Sequence, residues 1–271
     1  MDTQPSQPQN PLAKAICNAL DQGELQLHYQ PQFDPETEDT AGLEAFLRWQ
    51  PPGRSLQRAG QFISVVEGSP ELVQRIDIWV LSTALAQADS WLQQGYEFGV
   101  LSINLSGWMQ IQPSLDYLRL ALPKRRLPAK NLALECPWRI LSQDQQAVLR
   151  AMRQLAGLGC QINLNDPPLD DQCLQIAKDS PVRVTKVSVD YLHQLIEAEG
   201  TKAVAKRIKQ WRSAGIEIAA VGVEQEQHLA SCQQIGCRLT QGNRFKSPLP
   251  AAGMGQLLEM IKQTKIAFGL L

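Results

Sequence analysis

Leu25, Leu27 and Tyr29 alternate with Gln26, His28 and Gln30. That period of two marks a strand over 25–33 with one apolar face. Before it, a helix reads from Leu12 to about Asp21 and stops at Gly23. A second strand follows over 41–49. A long helix then runs from about Pro70 to Gln94, with Leu72, Ile76, Trp79, Val80 and Thr83 at helical spacing and Gly95 as its stop. Further along, strands are predicted over 98–106, 131–137, 161–166, 182–189, 216–224 and 237–242. Helices are predicted over 114–121, 143–157 (closed by Gly157 and Gly159), 197–213 (before Gly215), 225–235 (ended by Gly236) and 251–264.

Eight strands, mostly separated by helices, fit a (β/α)8 barrel of ~250 residues. A doubly wound open α/β sheet is the runner-up. It is weakened because no glycine-rich GxGxxG follows a strand. The chain has 271 residues, 44% of them hydrophobic, so it can bury a large core, as one large domain or two small ones. The expected organisation is a disordered tail over 1–11 and a single barrel domain over 12–271, with no room for a sensor domain beside it.

The net charge of −1 gives no reason to expect attraction to nucleic acid or membrane. No apolar run reaches the ~20 residues of a membrane span, and the N-terminus lacks the regions of a signal peptide. The six cysteines, Cys17, Cys136, Cys160, Cys173, Cys232 and Cys237, form no CxxC pair, and there are three histidines. Reduced, mostly buried thiols in a cytoplasmic protein are therefore expected.

Polar residues interrupt or follow the apolar runs at or near the strand ends: Gln30, Glu44, Asn104, Glu135, Asn165 with Asp166, Lys186, Glu224 and Gln241. In a β/α barrel those ends line the active-site mouth. Carboxylates, amides and one lysine converging there suggest divalent-metal and phosphate chemistry, with oxygen ligands suited to Mg²⁺, Mn²⁺ or Ca²⁺. Each residue also has a bland reading. Asn104 can cap a turn, Glu135 can be a surface residue before Pro137, Lys186 can snorkel to solvent, and Gln241 can be a turn residue before Gly242.

Longer motifs sharpen the picture. LHYQPQFDPETEDTAGLEAFLRWQPP, SINLSGWMQ, VGVEQEQHL and IGCRLTQGNRFKSPLP occur in that order. Together they resemble the EAL domain family of bacterial cyclic di-GMP phosphodiesterases, over about Leu12 to Pro250. The resemblance implies a modified TIM barrel with an antiparallel first strand. The signature reads Glu44-Ala45-Phe46, with Arg48 and Trp49 after it. By resemblance, one metal would be held at Glu44, Asn104, Glu135 and Asn165, and a second would rely on Asp166. The family lysine falls on Lys186, the later glutamine on Gln241, and the substrate-contacting glutamine and arginine on Gln30 and Arg48. The two glutamates of the family's A-E-G-V-E element fall on Val221 and Glu224, so Lys186 and Glu224 are remnants of a catalytic set.

The departures point away from hydrolysis. Asn165 stands where the family has a metal-bridging aspartate, and Val221 where it has a catalytic glutamate. Pro167-Pro168 replaces Phe-Gly in the family's D-D-F-G-T-G loop, and Trp138 replaces the glutamate that braces that loop. An amide bridges two cations poorly, and loss of an acid–base group alone typically costs ~10²–10⁴ in rate. The expectation is a degenerate, non-catalytic member acting as a cyclic di-GMP receptor, a protein-interaction adaptor or both. It would carry one Mg²⁺, Mn²⁺ or Ca²⁺ at a remnant site, and an unidentified protein or a second copy would be its partner. The alternative is a weak metal-dependent phosphodiesterase, and an unrelated metal-dependent barrel enzyme is a third reading. The basic stretches 202–211 and 122–128 read as solvated surface, and Trp138 as filling space beside the altered loop.

Overall fold

The computed structural model describes residues 10–268. Residues 1–9 of the tail expected over 1–11 lie outside the described residues. Asn10 and Pro11 already belong to a helix start: Asn10 caps α1 (Pro11–Gln22) by accepting the Leu12 N–H at 2.9 Å. Gly23 ends α1 with φ 70°.

Eight strands close on themselves. They are β1 (Leu25–Phe33), β2 (Thr40–Trp49), β3 (Val100–Asn104), β4 (Leu132–Pro137), β5 (Gln161–Asn165), β6 (Val182–Ser188), β7 (Glu217–Val221) and β8 (Leu239–Gln241). From β2 to β8 each strand pairs in parallel with the next, while β1 runs antiparallel to both β2 and β8 and completes the ring. The two-residue strands Gln57–Arg58 and Leu249–Pro250 add to β2 and β1. The barrel with a reversed first strand is therefore observed, and the open sheet is excluded.

The register sorts the side chains into two sets. Leu43 lies beside Leu101, Leu101 beside Leu132, and Leu134 beside Ile162, all fully buried. Tyr29 belongs to this set, and its ring meets Trp91 edge-on at 4.8 Å, so this face packs under the helices. The alternate residues point into the barrel. There Glu44 lies beside Ser102, Asn104 beside Glu135, Asn165 beside Lys186, and Val221 beside Gln241.

The surrounding helices are α2 (Ile63–Glu67), α3 (Pro70–Gln93), α4 (Gln112–Ala121), α5 (Trp138–Gln143), α6 (Gln145–Gly157), α7 (Asp171–Lys178), α8 (Val189–Glu199), α9 (Thr201–Ser213), α10 (Glu226–Ile235) and α11 (Ala251–Ala267). Two expectations need correction. The helix expected over 143–157 begins only after Asp144, which caps α6 by accepting the Ala147 N–H at 3.0 Å. The helix expected over 197–213 is two helices broken at Gly200, whose φ is 84°. The expected strands over 98–106, 216–224 and 237–242 are shorter, and the residues beyond their C-terminal ends form loops at the barrel mouth.

On α3 the buried stripe holds Leu72, Ile76 and Val80, as the spacing predicts, but Trp79 and Thr83 are half-buried. Asp77 is buried in that stripe instead. It accepts the backbone N–H groups of Ser106 (3.1 Å) and Gly107 (2.8 Å), so α3 fixes the loop that follows Asn104. A side chain at 107 would place its Cβ 2.8 Å from Asp77 Oδ2, which explains the glycine. All six cysteines are free, and five of them are buried. Among the described residues no helix is long and apolar enough to cross a membrane.

Burial pushes the Asp77 carboxyl up to about 7; its two N–H donors oppose this and Glu67 adds to it. A raised folded-state value means that the native chain binds the proton more tightly than the unfolded chain. The stabilisation is complete below the usual carboxylate value and is lost as pH rises through about 7. Urea melts from pH 4 to 8 should show wild-type stability falling relative to Asp77→Asn. A pH-independent difference between the two would contradict the assignment.

Candidate functional site

Five strands deliver one closed polar ring. Lys186, on β6, is 3% exposed, and its Nζ donates to Glu44 Oε2 at 2.7 Å and also pairs with Glu135. Glu135 is fully buried, and its Oε2 accepts from Asn165 Nδ2 at 2.9 Å. The same Nδ2 lies 3.3 Å from Asn104 Oδ1, and Asn104 Nδ2 donates to Glu44 Oε1 at 2.7 Å. With Glu135 ionised the amide orientation follows: a carbonyl oxygen at the Nδ2 position of Asn165 would face a carboxylate oxygen with no proton between them.

Two of the bland readings are therefore wrong. Glu135 is not a surface residue, and Lys186 does not reach solvent. Burial pushes the Glu135 carboxyl up to about 7, helped by Glu44 and opposed by Lys186 and Asn165. Burial alone would lower the Lys186 ammonium, but Glu135 and Glu44 outweigh it and hold it above the usual lysine value. Partial burial and Glu44 raise the Asp166 carboxyl against the pull of Lys186.

A second chain of amides flanks the ring. Gln32 Nε2 donates to Gln241 Oε1 (3.1 Å), Gln241 Nε2 to Gln30 Oε1 (3.1 Å), and Gln30 Nε2 to the Lys246 carbonyl (2.8 Å). Gln241 is thus a buried ladder member rather than an ordinary turn residue. Gly242 allows the next loop to close down, because a Cβ there would fall 2.0 Å from the Val223 carbonyl oxygen. Gln32 escaped the sequence reading, although it shares the polar face of β1 with His28 and Gln30.

Gln30, Glu44, Glu135, Asn165, Asp166, Lys186, Val221 and Gln241 line an inner cavity of about 160 Å³, whereas Asn104 lines a neighbouring pocket with Glu67, Asp77 and Arg139. An open groove of about 660 Å³ adjoins the inner cavity and shares Gln30, Phe46 and Gly222. Arg48 and Glu224 line that groove and not the inner cavity. Glu224 is exposed and accepts from Asn243 at 3.3 Å. Lys186 and Glu224, expected together as catalytic remnants, are thus divided between the two spaces.

The altered loop is pinned. Asp166 has φ 54°, a strained angle for a non-glycine residue that precedes proline. Its N–H donates to the Lys186 carbonyl at 2.9 Å, and the Leu169 N–H donates to Tyr191 Oη at 3.1 Å. Pro167 and Leu169 are buried. Trp138 opens α5 and packs half-buried against the apolar core.

The oxygen and amide donor types of Glu44, Asn104, Glu135 and Asn165 suit one hard cation; the four are linked in a chain of hydrogen bonds, and Asn165 Oδ1 is a buried oxygen without a hydrogen-bond partner. The set does not fit two. Glu44, Glu135 and Asp166 are the carboxylates left in the cavity to face a pair of divalent ions and the Lys186 ammonium. Among the described residues no three His, Cys, Asp or Glu side chains are grouped as metal ligands.

A family model described as the EAL domain matches residues 13–248. MucR of Pseudomonas aeruginosa, a bifunctional diguanylate cyclase/cyclic di-GMP phosphodiesterase, is 30% identical over 248 residues, which is 91% of this chain and 36% of MucR. The signaling protein YkoW of Bacillus subtilis is 25% identical over 245 residues, 90% of this chain and 30% of YkoW. The chain thus spans about a third of the length of these curated relatives. Its backbone is similar to that of the PaMucR phosphodiesterase in its c-di-GMP complex, with a TM-score of 0.81 and 29% identity over 90% of this chain and 100% of that one. The Xanthomonas citri FimX EAL domain in complex with c-diGMP has a TM-score of 0.78 at 20% identity, covering 88% of this chain and 93% of that one, a likeness of fold alone.

Removing Lys186 leaves two buried carboxylates facing each other. Lys186→Met should lower unfolding free energy by about 3–5 kcal/mol, with a smaller loss at pH 5, where Glu135 takes up a proton, than at pH 8. Adding Glu135→Gln should recover part of the loss. A single variant as stable as wild type in chemical denaturation would remove the ring from its structural role.

Proposed function

The chain belongs to the EAL domain family, and from that premise we propose that it is a non-hydrolysing receptor for cyclic di-GMP whose output is a contact with a protein partner or a second copy. One observation carries this reading. Asn165 donates a hydrogen bond to Glu135 at the position where, by resemblance, the family uses a carboxylate to bridge two metals. A donor there closes the hydrogen-bonded ring around Lys186, Glu44 and Glu135 without adding a further negative charge. It leaves nothing to hold two cations side by side.

Each part of the family reaction is weakened by a named residue. A divalent cation held by Glu44, Asn104, Glu135 and Asn165 would polarise a phosphate oxygen and acidify a bound water. Val221 offers no acid or base beside it. Lys186, engaged with two glutamates, serves the ring before it serves a substrate. Asp166 is held at a fixed backbone angle by a loop without glycine.

Binding does not need those groups. Gln30 and Gln241 present ordered amides, and Arg48 presents a cation along the adjoining groove. In this assignment Gln30, Arg48 and Gln241 hold the nucleotide, and Lys186 and Glu224 persist without turnover. The likeness to the PaMucR phosphodiesterase in its c-di-GMP complex supports the choice of ligand.

A weak phosphodiesterase is the second reading, favoured by the unpartnered Asn165 Oδ1. Two measurements separate them. Calorimetric titration with cyclic di-GMP in EDTA and in Ca²⁺ should show binding in both. Incubation of the nucleotide with the protein in Mg²⁺ or Mn²⁺ should leave it intact, whereas Asn165→Asp with Val221→Glu should gain hydrolysis by ~10² or more. Turnover by the unaltered chain would defeat the receptor reading.

A further inference from the structure

Arg48 and Arg58 are direct partners in the antiparallel pairing of β2 with the strand Gln57–Arg58. Residues so opposed have Cβ atoms about 4.5–5.5 Å apart, and like charges there destabilise the pair. The ion pairs formed among the described residues include neither guanidinium. Burial and then Arg58 pull the Arg48 guanidinium below the usual arginine value, against Glu44.

Both residues line the open groove of about 660 Å³, together with Phe46 and Leu56. Arg48 is fixed: its Nη1 donates to the Leu47 carbonyl at 2.9 Å, and its guanidinium carbon lies 5.3 Å from the Phe46 ring centre. Arg58 is exposed, with its backbone N–H held by Gln61 Oε1 at 2.7 Å. Glu224, the carboxylate of the groove lining, accepts from Asn243 at 3.3 Å and, among the described residues, forms no ion pair with either arginine. Two unneutralised cations held together by strand register burden the free protein. An anion accepting from both relieves that burden, and the planar forks of arginine match the oxygens of a phosphate.

We propose that Arg58 and Arg48 form a clamp for one phosphate of a cyclic dinucleotide, with a nucleobase face against Phe46 and Leu56, and that Arg58 sets the affinity of the groove. This rests on the cyclic di-GMP reading above; Arg48 is the arginine that the family resemblance already assigns to the substrate, and Arg58 is the contact that the family motifs do not supply. The clamp neutralises phosphate charge with side chains, so it acts without a divalent ion.

The test uses the whole chain and its Arg58→Ala and Arg58→Lys variants. Each is titrated calorimetrically with cyclic di-GMP in EDTA at low and high salt, and the ligand-free proteins are melted in parallel. Arg58→Ala should bind at least tenfold more weakly and with a flatter salt dependence, while its ligand-free Tm equals or exceeds that of wild type. Arg58→Lys should recover part of the affinity. Wild-type affinity in Arg58→Ala overturns the clamp, as does a fall in ligand-free Tm alongside the fall in affinity. If the wild-type chain binds no cyclic di-GMP, the receptor reading fails separately. Pyrophosphate then decides the clamp: a melting shift lost in Arg58→Ala supports it, and no shift in the wild type overturns it.

Discussion

A single buried ammonium, Lys186, sits between two buried carboxylates, Glu44 and Glu135, and the barrel mouth is organised around that contact. Each ion loses several kcal/mol of hydration on entering the interior, and the loss is offset only when every partner is in place. The partners come from strands far apart in sequence. The register that packs Leu43, Leu101 and Leu134 under the helices therefore also aims Glu44, Asn104 and Glu135 inward. A one-residue slip in any of these strands would exchange the two sets, so the apolar core and the polar ring specify the same alignment.

Asn165 decides what this ring can do. An aspartate there would add a carboxylate to a cavity that holds one ammonium, and the excess negative charge would call for cations. The amide instead donates to Glu135 and contacts Asn104. The same side-chain volume thus lowers the negative charge of the cluster by one and supplies a donor in place of an acceptor. The neighbouring loop follows the same logic: Asp166, Pro167 and Leu169 are held by backbone geometry, burial and the Tyr191 hydroxyl rather than left free to move with a ligand.

Much of the fold is legible in the chain. The alternation through Leu25, Leu27 and Tyr29 and the glycine stops at Gly23, Gly95 and Gly236 place elements correctly because they act locally. The break at Gly200 is not legible locally, because a glycine inside a helical pattern is often tolerated. The cap that opens α8, Ser188 accepting the Tyr191 N–H at 3.1 Å, was a readable signal. The polar residues of the mouth were legible as a set, but their partners were not. Burial of Glu135 and Lys186 depends on the register of strands separated by helices, and no local pattern carries that. Asp77 was hidden for the same reason, since an acid on a helix ordinarily reads as surface. Arg58 was hidden because its meaning depends on Arg48 lying across from it.

The geometry also separates two tasks that active relatives would need together. The polar groups of the inner cavity are largely bonded to one another: lysine to glutamates, amide to carboxylate, glutamine to glutamine. The outer groove differs, because Arg48 and Arg58 face it without a carboxylate of their own. Hydrolysis depends on the inner cavity, where two cations must be seated close together. Recognition of a phosphate depends on whichever cations remain unpaired and reachable, and these lie in the groove. The side chains of the inner ring and those of the outer groove are thus separate sets, so a change in the ring at Asn165 leaves Arg48 and Arg58 facing the groove.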